Sequence, residues 1–180
     1  MSGSTAGLVL AAGEGRRFGG PKAPYVLDGE RLVDRAVHLL RDAECEPVVV
    51  VLGAWVGRVD DADITVVNAD WASGMGSSLR LGLDTLVGTE ADRVVVTLVD
   101  LPGLSPEAVR RLVDSGSDLA QAAYAGERGH PVLLGRGHWP GVRDAADGDR
   151  GARAYLAAHD VALVEVGDVA SGEDLDERPA

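Results

Sequence analysis

Leu8-Val-Leu-Ala-Ala-Gly13-Glu-Gly15-Arg16-Arg17-Phe18-Gly19-Gly20-Pro21-Lys22 runs an apolar segment straight into a glycine-rich loop that carries two arginines and closes on a lysine. The apolar part reads as a strand, Gly7 to Ala11, and the rest as the turn between that strand and a helix. Glycines let main-chain N–H groups close on phosphate oxygens with no side chain in the way, and Arg and Lys add charge against a polyanion. The loop therefore reads as a holder for a nucleoside triphosphate, the plain alternative being a flexible strand-to-helix turn. Two familiar phosphate loops do not fit. The NTPase loop needs Lys directly after its last Gly and Ser or Thr after that, whereas Pro21 intervenes and Ala23 follows. The dinucleotide fingerprint is overrun by one residue in Gly13, Gly15 and Gly19, and the next strand, Pro47 to Leu52, ends without an acidic residue for a ribose.

Outward from this strand, short β-branched runs alternate with amphipathic ones. Further strands are predicted at Pro47 to Leu52, Ile64 to Val67, Arg93 to Leu98, Leu119 to Tyr124, Pro131 to Leu134 and Val161 to Val166. Helical spacing links Leu32, Ala36, Leu39 and Leu40; Leu79, Leu83 and Leu86; Val109, Leu112 and Val113; and Ala152, Tyr155 and Leu156. Val48 to Leu52 and Val94 to Leu98 are apolar on both faces, as central strands covered on each side must be. The β-α-β-α order gives a three-layer α/β/α sandwich, Rossmann-like, with a mostly parallel sheet. It forms one domain over residues 1–180, with Met1 to Thr5 and Ser171 to Ala180 expected as frayed ends. Ligands in such folds gather at the carboxyl ends of the strands, where Gly13, Asn68 and Asp100 all fall.

Composition narrows the function. A formal charge of −12 argues against sequence-independent binding to nucleic acid, because that affinity comes from clustered Lys and Arg releasing counterions. A triphosphate must then arrive with a divalent cation and meet a local basic loop. The single cysteine, Cys45, cannot form an internal disulfide, and no charged segment with an apolar run precedes the first strand, so a reducing cytoplasm is expected. No apolar run approaches the roughly 20 residues of a membrane-spanning helix.

The segment Leu10 to Lys22 resembles the signature of the MobA-like nucleotidyltransferases, L-A-[AG]-G-x-[SG]-x-R-[FM]-G-x-x-K. Asn68-Ala-Asp-Trp-Ala-Ser-Gly74-Met-Gly76-Ser77-Ser78-Leu-Arg-Leu-Gly82 is similar to the family's nucleoside-binding segment. Val95-Val-Thr-Leu-Val-Asp100-Leu-Pro102 is similar to its strand ending in a metal-binding Asp, and Gly129-His130-Pro131 to its acceptor-side turn. Gly148-Asp149-Arg150-Gly151-Ala152-Arg153 resembles another acceptor-side segment. The match covers nearly the whole chain. Ala12 beside Gly13 and Phe18 beside Gly19 look more like the cytidylyltransferase (MocA-like) branch acting on molybdopterin than the guanylyltransferase branch.

The resemblance implies the nucleotide-diphospho-sugar transferase (GT-A-like) fold. It also implies transfer of a nucleoside monophosphate from an NTP, CTP by branch, to a phosphorylated acceptor, molybdopterin or molybdenum cofactor, with release of pyrophosphate. Mg2+ is the implied cofactor, and a molybdoenzyme or its maturation chaperone a further partner. Ala11, Ala12, Gly13, Gly15, Arg17, Lys22, Asn68, Gly74, Gly76, Ser77 and Ser78 correspond to the nucleotide-binding positions. His130, Pro131 and Gly151 correspond to the acceptor side, Lys22, Arg17 and Asp100 to the chemistry, and Asp100 with Asp168 to the metal. Other acceptors, a sugar or polyol phosphate, keep the same chemistry. Two other classes stay open: an NAD(P)H-dependent oxidoreductase of the nicotine-blue type, against which the off-length glycine spacing counts, and a non-catalytic carrier of molybdenum cofactor.

Each residue also has a plainer reading. Asp100 ends an apolar run before Leu101-Pro102, which leaves its carboxylate at the sheet edge for a hard cation; the alternative, capping the helix near Pro106, suits Ser105 better. Lys22 and Arg17 would neutralise charge as pyrophosphate leaves, with Arg16 pointing elsewhere, or all three make a solvated basic turn. Ser77 or Ser78 caps the helix expected near Leu79 or touches the nucleoside. Asn68 binds or merely turns the chain. His130 positions an acceptor rather than acting as a base, since a phosphate nucleophile is already ionised. Trp55, Trp71 and Trp139 pack the core unless one lines the acceptor site.

One departure stands out. The family usually reads Asp-Ile-Asp-Thr-Pro-Glu-Asp near its end, the second Asp helping to hold the metal, where this chain has Asp168-Val169-Ala170-Ser171-Gly172-Glu173-Asp174. Ala170 has no oxygen to offer. Either Asp168 takes the role, or Asp100, phosphates and water hold the metal, or the activity is altered.

Overall fold

The computed structural model describes residues 3–180. Seven strands make one sheet: β1 (Thr5–Ala11), β4 (Val48–Leu52), β5 (Ile64–Val67), β6 (Arg93–Leu98), β7 (Leu119–Tyr124), β8 (Glu127–Gly135) and β9 (Ala162–Glu165), in the order β5-β4-β1-β6-β8-β7-β9. β1 pairs in parallel with β4 and β6, β4 with β5, and β7 with β9, while β8 runs antiparallel to both its neighbours. The sheet is thus mostly parallel. All seven predicted strands are present, β8 longer than expected at its start, so Gly129-His130-Pro131 lies within a strand and not in a turn.

Helices α1 (Leu32–Asp42) and α3 (Pro106–Val113) cover one face; α2 (Met75–Val87), α4 (Trp139–Ala145) and α5 (Arg153–Ala157) cover the other. Alternation in the strands assigns the partners. Val9 and Ala11 of β1 pack with Val33, Val37 and Leu40 of α1, and Leu8 and Leu10 with Leu79, Leu83 and Leu86 of α2. Every residue of β4 is buried, which is the condition its unbroken apolar run requires. Ser105 caps α3, its hydroxyl accepting from the Ala108 N–H at 3.2 Å with Pro106 beginning the helix.

Two elements lie outside the periodicity reading. A hairpin of β2 (Val26–Leu27) and β3 (Glu30–Arg31) turns on Asp28 and Gly29, both at positive φ, the pairing that a two-residue hairpin turn favours. In α4, Pro140 and Gly141 look like breakers, yet Pro140 falls in the first turn, where a missing N–H costs no hydrogen bond.

The expectation of frayed ends is corrected at both sides. Thr5 already belongs to β1, and the Ser4 N–H donates to Asp92 at 2.8 Å; Met1 and Ser2 lie outside the described residues. Ser171–Ala180 has no helix or strand but is tied down: Ser171 donates to the Gly103 carbonyl at 2.9 Å and Leu175 to that of Asp100 at 2.8 Å. Among the described residues no helix is long and apolar enough to cross a membrane.

Candidate active site

The loop after β1 is a closed turn. The N–H groups of Gly19 and Gly20 both donate to the Gly15 carbonyl, at 2.9 and 3.0 Å. Gly15 sits at φ +63°, and a Cβ there would collide with the carbonyl of Gly20, so no other residue fits. Phe18 anchors the turn from below, buried and edge-on to Tyr25 with ring centroids 4.8 Å apart. Gly13 differs from Gly15, because nothing lies within 4 Å of where its Cβ would be. Its bareness serves the open space above it.

That space is a cavity of about 410 Å³ at the carboxyl ends of β1 and β6. Its walls are Ala11 to Arg16, Lys22, Leu98 to Asp100, Trp71, Gly74, Met75, Ser78 and Asp149 among others. A cavity of this size suits a small-molecule ligand. Lys22 Nζ lies 2.9 Å from Asp100 Oδ2 and 3.8 Å from Asp176 Oδ1. The Lys22 and Asp100 side chains are only 15% and 20% exposed, so their pairing is less screened than a surface salt bridge. Arg17 is exposed and does not line the cavity, whereas Arg16 does, its guanidinium paired with Glu14. Arg16, expected to point elsewhere, thus borders the cavity, although its side chain is almost fully exposed.

Asn68, at the end of β5, is buried and works as a hub. Its Nδ2 donates to Ser77 Oγ at 2.8 Å and Ser78 Oγ at 2.9 Å, and its Oδ1 accepts from the Asp70 N–H at 2.9 Å. The expected serine cap is absent. α2 begins at Met75, not near Leu79, with Gly74 as its N-terminal flank, so Ser77 and Ser78 lie inside the first turn. Residues 146–149 explain the glycines: a Cβ on Gly76 would lie 2.8 Å from the Asp147 nitrogen, and one on Gly74 2.5 Å from the Gly148 carbonyl carbon. Gly76 is therefore required for packing. Gly74 and Ser78 face the cavity; Asn68 and Ser77 stand behind it.

On the acceptor side, the Tyr124 hydroxyl donates to the His130 carbonyl at 2.6 Å. Burial pushes the His130 imidazole below its ordinary pKa, with the Asp100 carboxylate pulling the other way and Arg153 adding to the fall. The neutral imidazole is thus favoured over the protonated one, against the pull of Asp100. Gly151, at φ +53°, packs against the Met75 sulfur. His130, Pro131 and Gly151 border the region without lining the cavity. Trp139 is a core residue, its Nε1 donating to the Leu134 carbonyl at 3.0 Å, and Trp55 packs against the core on the α1 and α3 face; Trp71 reaches the cavity.

The tail supplies what the motifs did not show. Asp168 does not face the site: Arg111 takes both its oxygens, at 2.6 and 2.9 Å, on an exposed surface, and that bond holds its carboxyl below the usual range. Its proposed compensation for Ala170 has no support in this geometry. Ala170 packs against the core. Asp174 is the tail carboxylate that responds to the charges of the site, its carboxyl pushed up by burial and by Asp100 and Asp176, with Lys22 opposing. The Lys22 ammonium on Asp100 shows that a cation is accommodated there. Among the described residues no three acidic, histidine or thiol groups converge as a ready metal cage. Asp100, at the strand end, is the carboxylate that would suit magnesium, which usually takes one or two carboxylates plus phosphate and water.

Comparison with known proteins shows the family and the fold. The family described as MobA-like NTP transferase domain matches residues 7–163. Nicotine blue oxidoreductase of Paenarthrobacter nicotinovorans is 40% identical, over 94% of this chain and 91% of that one. The molybdenum cofactor guanylyltransferase of Rhodobacter capsulatus is 33% identical over 74% of this chain and 65% of its own. Rv0371c of Mycobacterium tuberculosis H37Rv, solved in complex with manganese, superposes with a TM-score of 0.72 at 26% identity, covering 91% of this chain and 88% of that one. The structural neighbours include nucleotidyltransferases of the nucleotide-diphospho-sugar transferase fold.

Proposed function

This chain belongs to the MobA-like NTP transferase family, and from that premise we propose that it moves a nucleoside monophosphate from an NTP, CTP by the identity of residues 12 and 18, to a phosphorylated acceptor of the molybdopterin type. The observation that carries this reading is the Lys22–Asp100 pair at the floor of the cavity, beneath the Gly13–Lys22 loop. The loop and Gly74 at the start of α2 receive the triphosphate, and Ser78 contacts the nucleoside. Lys22 leaves Asp100 for the phosphates and neutralises the charge that builds on the departing pyrophosphate. Arg16, lining the cavity, is better placed than Arg17 to assist. The acceptor phosphate attacks the α-phosphorus in line and breaks its bond to the bridging oxygen of the leaving pyrophosphate. His130, whose burial favours the neutral imidazole, orients the acceptor by a hydrogen bond and takes no proton. Magnesium would be held by Asp100 with Asp174 nearby, and supplies charge neutralisation to the phosphates.

Pyrophosphate release with CTP, GTP or ATP and purified molybdopterin, over a magnesium titration, tests the reading. No release from any of the three nucleotides at any magnesium level overturns it.

The 40% identity to a protein named an oxidoreductase favours one second reading, a nicotinamide-dependent reduction. Thermal stabilisation separates the two: a ligand at a hundred times its dissociation constant adds about 2.7 kcal/mol. Stabilisation by NADPH and not by CTP or GTP supports the second.

A further inference from the structure

Residues 171–180 form neither helix nor strand, yet they cross from the end of β6 to the loop after β1. Ser171 is bonded to Gly103 and Leu175 to Asp100, which starts the tail along the metal-side edge of the site. Asp176 then comes within 3.8 Å of Lys22, and Arg178 reaches the loop itself. Its Nε donates to the Phe18 carbonyl at 3.1 Å across 160 residues of sequence. Its guanidinium lies 5.3 Å from the Phe18 ring centroid and 5.8 Å from that of Tyr25, within cation–π range of both. Lys22 Nζ stands 5.9 Å from the same Phe18 ring, so the one aromatic side chain of the loop has two cations within 6 Å of its centroid.

The loop needs such a clamp. Gly15, Gly19 and Gly20 all hold positive φ, and the two shorter hydrogen bonds that close the turn converge on a single acceptor, the Gly15 carbonyl. A backbone so rich in glycine loses much entropy when it is fixed. A side chain that bonds the loop main chain from outside and seats its anchoring ring removes part of that cost before a ligand arrives, which is what preorganisation means for affinity.

We propose that Arg178 is a positioning residue of the nucleotide loop: bonded to the Phe18 carbonyl and laid over the Phe18 and Tyr25 rings, it holds residues 13–22 in the form that receives a triphosphate, without touching the ligand. This rests on the reading of that loop as the triphosphate site. The tail is then a working part of the site.

The test uses the full chain carrying Arg178→Ala and Arg178→Lys. Trypsin cleavage after Arg16 and Arg17, mapped by mass without nucleotide, reports the loop directly, since both arginines are exposed. Calorimetric titration with CTP, with and without magnesium, reports the site. Arg178→Ala is expected to speed loop cleavage severalfold and weaken CTP binding about tenfold, because affinity feels only the part of the Arg178 contacts that orders the loop in advance. Thermal unfolding without ligand should stay near the parent, and Arg178→Lys, which keeps the cation over the rings, should recover part of both losses. Parent-like cleavage and affinity in Arg178→Ala, or tighter CTP binding, overturns the proposal. A parent chain that binds none of CTP, GTP or ATP overturns the transferase reading instead, and the cleavage rates then decide the role of Arg178 alone.

Discussion

Lys22 Nζ and Asp100 Oδ2 are 78 residues apart in sequence and 2.9 Å apart in space. The pair joins the glycine loop after β1 to the end of β6, two neighbouring parallel strands, at the crevice where open α/β sheets bind ligands. Each residue neutralises the other, and on the proposed function a nucleotide's phosphates compete with Asp100 for the Lys22 ammonium. Their roles can therefore be tested separately.

Lys22→Ala removes the charge that would face the leaving pyrophosphate. Turnover at saturating nucleotide should fall about a hundredfold or more, the usual cost of losing charge stabilisation in a transition state. Pyrophosphate release equal to that of the parent would take Lys22 out of the mechanism.

Asp100→Asn keeps the shape of the site and removes one charge. Magnesium-dependent turnover should disappear, while CTP binding without metal should persist because the loop and Lys22 remain. A variant that retains the full magnesium dependence makes Asp100 structural.

Asp168→Ala should change neither the response to magnesium nor turnover, because the carboxylate is occupied by Arg111 away from the cavity. Asp174→Asn, in contrast, should weaken Mn2+ binding measured by electron paramagnetic resonance. The opposite pattern would restore Asp168 to the site.

Gly15→Ala should destabilise the loop, since its Cβ meets the Gly20 carbonyl and its φ is positive. Gly13→Ala meets nothing and should leave thermal stability unchanged, with nucleotide affinity reduced through crowding of the cavity. Equal loss of stability in both would show that Gly13 is also required for packing.

His38 provides a pH dependence remote from the site. The hydrogen bond to Asp61 raises its pKa above the ordinary value, burial opposes this, and Glu30 adds to the rise. Arg35 stands near Glu30, and Arg41 bonds the Asp61 carbonyl. A histidine with a raised folded pKa binds its proton more tightly when folded, so its contribution is full below the unfolded value of about 6.5 and fades as pH rises through the folded one. The melting-temperature gap between parent and His38→Gln should be larger at acidic pH than under basic conditions. A gap independent of pH would exclude the protonated pair.

The seven strands, the three layers and the placing of Gly13, Asn68 and Asp100 at strand ends follow from local pattern, because side-chain period and β-branched runs are properties of neighbours in sequence. Ser105 could be read as a cap for the same reason. The hairpin at Asp28-Gly29 carried a legible turn signal that a search for longer periodic runs passed over. What only the tertiary structure decided lies between distant segments. Arg16 rather than Arg17 lines the cavity because Gly15 reverses the chain just before it. Gly76 is fixed by the approach of residues 146–149, and Ser77 and Ser78 are turned from caps into partners of Asn68 by a helix that starts at Met75. Asp168 is drawn off by Arg111, and a polar, glycine-bearing tail whose composition predicts fraying is held by bonds to Gly103, Asp100 and Phe18. None of these contacts leaves a periodic trace, since each depends on which far segment supplies the hydrogen-bond partner, and that is set only when the sheet has brought the strand ends together.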